Sequence, residues 1–279
     1  MDAREFKQVS HAVWEAMAPG WDERHAYFEE IARPVTERML ARLEPSPGEE
    51  ILDLAAGTGI AGFAAAAVVG PEGKVIVSDF AEAMVDVAAR RAGEMGLDNV
   101  ECRVLDAEAL DLPDGSVDGV ICRWAYMLMA DPGAALRETR RVLREDGRVA
   151  CAVFSGPESN PWAAIPARVL IERGHMAPPK PGTPGILALA DRDRLRRLFT
   201  DAGFGDPTID VVGFTIRADD FDDYWEFLND VAGAIAMVLD RLDPDEQGRV
   251  RAQIAAAIDQ FSGNGQIEFP AQSLVVSAS

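Results

Sequence analysis

Residues 50–154 predict an α/β fold built on a parallel sheet with crossover helices. Two observations carry this. Five short apolar runs, "EILDLA", "KVIVSD", "VECRVL", "VDGVICR" and "GRVACAVF", alternate with Ala-rich or Arg/Glu-rich stretches of helical period, the pattern of strands buried on both faces and joined by helices. The helix boundaries agree: Asp131-Pro132 offers an N-cap and a first-turn proline before "GAALRETRRVL", and Gly147 reopens the chain into a strand.

The flanking elements follow in order. Two amphipathic helices come first, with Phe6, Val9, Val13 and Met17 on one stripe and Phe28, Ile31, Val35 and Met39 on the other; Pro34 is expected to break or kink the second. After the sheet unit, residues 155–190 are rich in loop residues around a short helix at about 161–174. A helix "DRDRLRRLFTDAGF" and a strand at about 208–216 come next. Residues 219–262 read as two helices, the second opening with the capping sequence Asp243-Pro244-Asp245-Glu246, and the chain closes on an alternating strand.

Composition narrows the function. The chain has 279 residues, 48% of them hydrophobic, enough to bury a large core. A net charge of −20 opposes a phosphate backbone, so nucleic acid is not an expected partner. The N-terminus is too polar for a signal peptide and no apolar run reaches membrane-spanning length, which points to a cytoplasmic protein. Cys102, Cys122 and Cys151 lack C-x-x-C spacing and fall in strand-like runs. They read as core thiols, and no metal site is expected.

The chemistry concentrates in "ILDLAAGTGIAGFAAA", where Gly57, Gly59 and Gly62 match G-x-G-x-x-G. A glycine loop between strand and helix lets backbone approach a ligand closely. In the NAD fingerprint a pyrophosphate lies there. Here Asp53 sits inside the strand before the loop, where its carboxylate would repel pyrophosphate but suit a ligand carrying an ammonium and a sulfonium.

With Asp53, "LDLAAGTG" resembles the first motif of class I S-adenosylmethionine-dependent methyltransferases. "KVIVSDFAEAMVDVA" resembles the second, "VLDAEALDLPDGSVD" the adenine-binding turn, and "RVLREDGRVACAVF" the fifth-strand motif, with Asp146 in place of a glycine and Gly147 left to take positive φ. The match runs over about 45–154 and extends through "RLRRLFTDAGF". Among subfamilies it is most similar to the ubiquinone/menaquinone-biosynthesis type of small-molecule methyltransferase. The resemblance implies a Rossmann-like sheet of seven mostly parallel strands flanked by helices, with an N-terminal helical lid and a helical insertion before the last strand.

It also implies roles. Asp79 would grip both ribose hydroxyls of S-adenosylmethionine, a geometry that suits a carboxylate. Gly57 and Gly59 would bring backbone to the methionine part, Thr58 adding a hydroxyl, and Asp53 would orient the loop and the amino group. Ala55 replaces the family's first loop glycine, which is tolerable if its φ is negative. Phe80 and Met84 would press on ribose and adenine. Asp106 and Ala107 would bind adenine, through side chain and backbone respectively, while Glu108 is expected in solvent. The backbone of Arg123 would touch the cofactor, with Trp124 and Tyr126 lining an acceptor pocket. Trp14, Trp21 and His25 lie in the segment that folds over the cofactor in similar enzymes.

Methyl transfer is an in-line displacement that needs positioning more than proton transfer. Of His11, His25 and His175, His25 is the candidate base because it adjoins the lid. The expected organisation is a lid at 1–44, a core at 45–218, a helical insertion at 219–262 and a final core strand at 263–279. In the insertion Phe221, Trp225, Leu228, Ala232, Ile235 and Leu239 form one stripe and Tyr224, Phe227, Val231, Ala234 and Val238 another. This wide apolar face, with Trp162, is expected to wall the pocket of a small, apolar or aromatic acceptor accepting at O, C or N; a homodimer contact is the alternative. Rival functions are an NAD-dependent oxidoreductase and a cofactor-binding protein without transferase activity.

Overall fold

The computed structural model describes residues 2–180, 182–263 and 265–279. The chain runs α1 (Ala3–Glu23), α2 (His25–Leu43), β1 (Glu50–Leu54), α3 (Ile60–Val69), β2 (Lys74–Asp79), α4 (Glu82–Met95), β3 (Val100–Val104), β4 (Val117–Arg123), α5 (Pro132–Val142) and β5 (Leu143–Phe154). It continues through α6 (Pro161–Glu172), α7 (Arg192–Asp201), β6 (Thr208–Ala218), α8 (Phe221–Val231), α9 (Ala234–Asp240), α10 (Pro244–Ile258), β7 (Ser262–Gly263) and β8 (Gln266–Ala278). The sheet order is β3-β2-β1-β4-β5-β8-β6. Strands β1 to β5 are parallel, and β8 enters antiparallel between β5 and β6. The expected seven strands form this path. An eighth, the two-residue β7, folds back on the start of β8.

The central strands are buried on both faces, which is why they read as continuous apolar runs: Ile51, Leu52, Leu54, Val75, Val120 and Ile121 are all inaccessible to solvent. Each such side chain contributes roughly 1.5–3 kcal/mol relative to an exposed one. At the edge, β3 is only half-covered, and Cys102 is partly exposed where a core thiol was expected; Cys122 and Cys151 are buried and face each other in register across β4 and β5. Pro270 lies where β8 pairs with β6 alone, so its missing N–H costs no bond to β5.

Other expectations are corrected. Helix α2 continues through Pro34, which faces solvent, where a backbone carbonyl left without its helical donor is least costly. Gly147 has no positive φ. Its need is for space, since a Cβ there would meet the Arg144 carbonyl oxygen and Leu143 Cβ at 3.0 Å. The insertion has three helices rather than two, because the first stripe breaks at Gly233, whose φ of 42° ends α8 and starts α9.

Gly62, third in the glycine pattern, fixes how closely α3 packs on the sheet. A Cβ there would lie 2.6 Å from Val77 Cγ2 and 2.8 Å from Asp53 Oδ2. Gly62→Ala is therefore expected to destabilise the fold by about 1–3 kcal/mol in a urea melt. Gly93→Ala in α4, where a Cβ meets nothing within 4 Å, should stabilise it by roughly 0.5–1 kcal/mol.

Candidate functional site

A cavity of about 990 Å³, open solvent at its mouth included, lies over the carboxyl ends of β1, β2 and β4, where open α/β sheets place ligands. The glycine loop forms its floor. Ala55, Gly57 and Gly59 take φ of 52°, 56° and 87°, so the loop repeatedly enters the left-handed region. Ala55 thus corrects the expectation of a negative φ there, and a side chain in that conformation costs about 1–2 kcal/mol.

Two buried carboxylates organise this loop. Asp53, fully buried on β1, accepts the Gly62 N–H through Oδ2 at 2.6 Å, while Oδ1 has no partner among the described residues. Burial pushes its carboxyl up to about 7, against the opposing pull of the Arg123 cation and the Gly62 N–H. Asp79, at the end of β2, accepts from Gly57 N at 2.9 Å and from Ala81 N at 3.0 Å. Burial raises its pKa too, against these backbone donors. Asp79 lines the cavity.

Arg123 borders the same cavity with one side-chain partner, Thr36 Oγ1 at 2.9 Å, and its guanidinium lies 5.2 Å from the Trp124 ring centre. Burial lowers its pKa to about 10, with Asp53 acting in the opposite sense. A half-satisfied carboxylate and a half-satisfied guanidinium at one end of a cavity fit the zwitterionic end of an amino acid. The orphaned Asp53 oxygen is the feature an ammonium would complete.

Of the expected cofactor residues, Asp53, Ala55, Gly57, Asp79, Phe80, Met84, Asp106, Ala107 and Arg123 line this cavity, while Thr58 and Gly59 do not. Thr58 is turned away, 2% exposed, with Oγ1 at 3.0 Å from His25 Nδ1. This also corrects the role of His25, which lines neither cavity; it is buried against Thr58 and joins α2 to the glycine loop. Burial, assisted by Arg91, lowers its pKa.

Sequence reasoning missed Lys7. From α1 its ammonium reaches Asp106 Oδ2 at 2.6 Å and Glu108 Oε2 at 3.1 Å, tying α1 to the turn after β3. Burial opposes this charge, but the two carboxylates outweigh it and hold the lysine above its ordinary pKa. Glu108 is consequently not solvated; it also accepts the Asp131 N–H.

A second cavity, of about 1050 Å³ with open solvent at its mouth included, adjoins the first. The two share Phe6, Ser10, Trp14, Trp21, Trp124 and Leu128. Trp124 stands at the junction with φ of 60°, its ring stacked on Phe154 at 4.9 Å and its Nε1 donating to Ser273 Oγ at 2.8 Å. Trp162, Phe227, Val231 and Met237 line the far wall.

Three expected acceptor residues lie elsewhere. Tyr126 is buried and donates to Thr139 Oγ1, whose own proton goes to the Ala135 carbonyl. Tyr224 is buried and donates to the Trp162 carbonyl, supporting the wall from behind. Trp225 is half-buried beneath the Arg251 guanidinium, 5.8 Å away. All three satisfy local packing, which an apolar stripe alone does not distinguish from pocket lining.

A family model described as a methyltransferase domain matches residues 45–172. The nocamycin O-methyltransferase of Saccharothrix syringae is 30% identical over 257 residues, covering 85% of this chain and 88% of that protein. The demethylmenaquinone methyltransferase of Symbiobacterium thermophilum is 32% identical over 209 residues, covering 69% and 79% respectively. Among solved structures, the YcgJ protein of Bacillus subtilis shares the fold with a TM-score of 0.57 at 22% identity, covering 87% of this chain and 96% of its own.

The Asp53 carboxyl sets a pH test. Below about 7 it holds a proton in the free protein. A ligand ammonium requires the carboxylate, so binding at lower pH must expel that proton. The affinity for S-adenosylhomocysteine, measured by calorimetry, is expected to fall about tenfold from pH 8 to pH 6. Asp53→Asn should bind more weakly and lose the pH dependence.

Proposed function

Since the chain belongs to the class I S-adenosylmethionine-dependent methyltransferases, we infer that it moves the cofactor's methyl group to a small, apolar molecule seated in the second cavity. The observation that carries this reading is the junction of the two cavities: one bordered by the charged side chains of Asp53, Asp79 and Arg123, and a second without a charged lining residue among those described, the two sharing Trp124.

The sulfonium supplies an already activated methyl group, which leaves positioning to the protein. Asp53 would take the ammonium, Arg123 the carboxylate and Asp79 the ribose hydroxyls, while Met84, Phe80 and Ala107 enclose the adenosine. Trp14 and Trp21, on the lid, add aromatic faces near the sulfonium, a favourable arrangement for a cation. Among the described residues lining the second cavity there is no carboxylate, histidine or amine; Ser10 and the indoles are its polar side-chain groups. This supports an acceptor whose nucleophilic atom, whether O, C or N, needs no base from the chain.

The insertion, residues 219–262, acts in this reading as a substrate wall, supported by Phe227, Val231, Ala232 and Met237 at the cavity surface. The lid at 1–44 closes both cavities, and the strand at 263–279 completes the core. The net charge of −20 supports the exclusion of nucleic acid. The three free thiols are in keeping with work in the reducing cytoplasm.

Incubation with methyl-labelled cofactor and a panel of neutral phenols, enols and amines tests the reading, with label expected in one of the apolar members. Met237→Arg puts a charge into the apolar cavity and should reduce transfer roughly tenfold or more while S-adenosylhomocysteine still binds. Equal transfer by this variant would move the acceptor elsewhere. Asp79→Asn should weaken cofactor binding by about tenfold, because one ribose acceptor is lost.

A further inference from the structure

Helix α1 carries two adjacent stripes with different tasks. Phe6, Val9, Ser10, Val13 and Trp14 recur at the helical spacings of three and four residues, and together with Trp21 they line the second cavity. Lys7, His11 and Glu15, each four residues from the next, form a stripe turned by about 100° from Phe6, Ser10 and Trp14. This stripe docks on the rim of the first cavity. The Lys7 ammonium lies 2.6 Å from Asp106 Oδ2 and 3.1 Å from Glu108 Oε2. The His11 ring meets Phe80 edge-on at 5.4 Å. Glu15 accepts the Glu82 and Ala83 N–H groups at 2.6 and 3.3 Å, and so caps α4, whose own N-cap residue is Ala81.

The two tasks are mechanically linked. Among the described residues, the polar side-chain contacts that join residues 3–16 to the core are those of Lys7 and Glu15. Lys7 is the outer of the two. Helix α1 ends at Glu23, so Lys7 stands about 25 Å along the axis from the break at Arg24, and a tilt of about 5° there moves Phe6 and Ser10 by roughly 2 Å. Lys7, Asp106 and Glu108 all line the first cavity, and none of them lines the second. In the free protein Lys7 and Asp106 are partly solvated, their side chains 32% and 42% exposed. A ligand filling the first cavity displaces that water, and opposite charges attract more strongly as the local dielectric falls. The contact is then firmest when the cofactor is bound.

We propose that Lys7 is a positioning residue for the methyl acceptor: by holding α1 on Asp106 and Glu108 beside the occupied first cavity, it sets the wall that α1 contributes to the second. This rests on the methyltransferase reading above, with the acceptor in the second cavity.

The test uses protein saturated with S-adenosylhomocysteine and the probe N-phenyl-1-naphthylamine, an uncharged fluorophore whose emission rises in apolar surroundings. Met237→Arg should abolish its binding, which places the probe in the second cavity. Lys7→Met, which keeps the aliphatic stem and removes the charge, should bind the probe about fivefold more weakly than the wild type, although Lys7 does not line that cavity. Lys7→Arg restores the charge and should bind it within about twofold of the wild type. The wild type also gives a readout that needs no variant: S-adenosylhomocysteine should slow amide hydrogen exchange over residues 3–16. Equal probe affinity in Lys7→Met and wild type, a loss that Lys7→Arg does not restore, or exchange over α1 that ignores S-adenosylhomocysteine overturns the proposal while the cofactor reading stands. A probe that fails to bind the wild type, or binds Met237→Arg equally well, overturns the apolar acceptor site on which the proposal rests. A wild type that does not bind S-adenosylhomocysteine overturns the methyltransferase reading itself.

Discussion

A carboxylate buried inside a parallel sheet, with half of its hydrogen bonds made, is the constraint around which the site is arranged. Asp53 stands on β1 between Val77 of β2 and Ile121 of β4, where solvent does not reach it. One oxygen takes the Gly62 N–H, which ties the first turn of α3 to the strand, and Gly62 must be glycine because the carboxylate occupies the space of a Cβ. The loop between them is then short and left-handed at three positions, and Asp79 holds its middle through the Gly57 N–H. The other Asp53 oxygen stays unpaired among the described residues. Its burial raises the proton affinity of the group into the neutral range, a cost tolerated at a binding site and offset when a cationic ligand arrives.

Helices α1 and α2 are fastened at their edges by charge and in their middle by aromatic packing. Asp22 meets Arg90 and Arg91 of α4, and Arg24 meets Asp223 and Asp230 around α8. Lys7 meets the turn after β3. Ion pairs this close to solvent contribute about 0–1 kcal/mol each. Their effect is to choose the position of α1 and α2 rather than to hold the fold together. Between them Trp21 stacks on Phe28 at 4.1 Å, and α1 carries the aromatic surface, Trp14 and Trp21, that the two cavities share. Trp124, held at positive φ, is the matching element on the core side, and its strain is kept by its bond to Ser273 and its stacking with Phe154.

The floor of the first cavity was legible because its residues are local in sequence. Asp53, Gly57 and Asp79 sit at strand ends where the alternation of strand and helix makes the crevice predictable, and each does its work through groups within a few residues or on the adjacent strand. The acceptor side draws single residues from α1, α6, α8 and α9, so no motif announces it. An apolar stripe says that a helix is covered and not by what. Tyr224 and Trp162 looked equivalent as pocket candidates, yet one lies behind the wall and the other forms it. His25 looked available because it adjoins the lid, and the packing of α2 turned it to Thr58.

By itself the sequence determined the strands, the crossover helices, the caps at Asp131 and Asp243, and the carboxylates that line the first cavity, because periodicity, turn chemistry and short-range hydrogen bonding depend on neighbours along the chain. Only the tertiary structure decided that Lys7 closes on Asp106, that Gly233 divides the insertion, and that Arg123 is left with donors to spare. It also decided that Trp124 finds Ser273 while Trp162 finds no acceptor among the described residues. These are matters of which distant groups come within about 3 Å of one another. A hydrogen bond that is missing in the folded chain has no signature in the order of its residues.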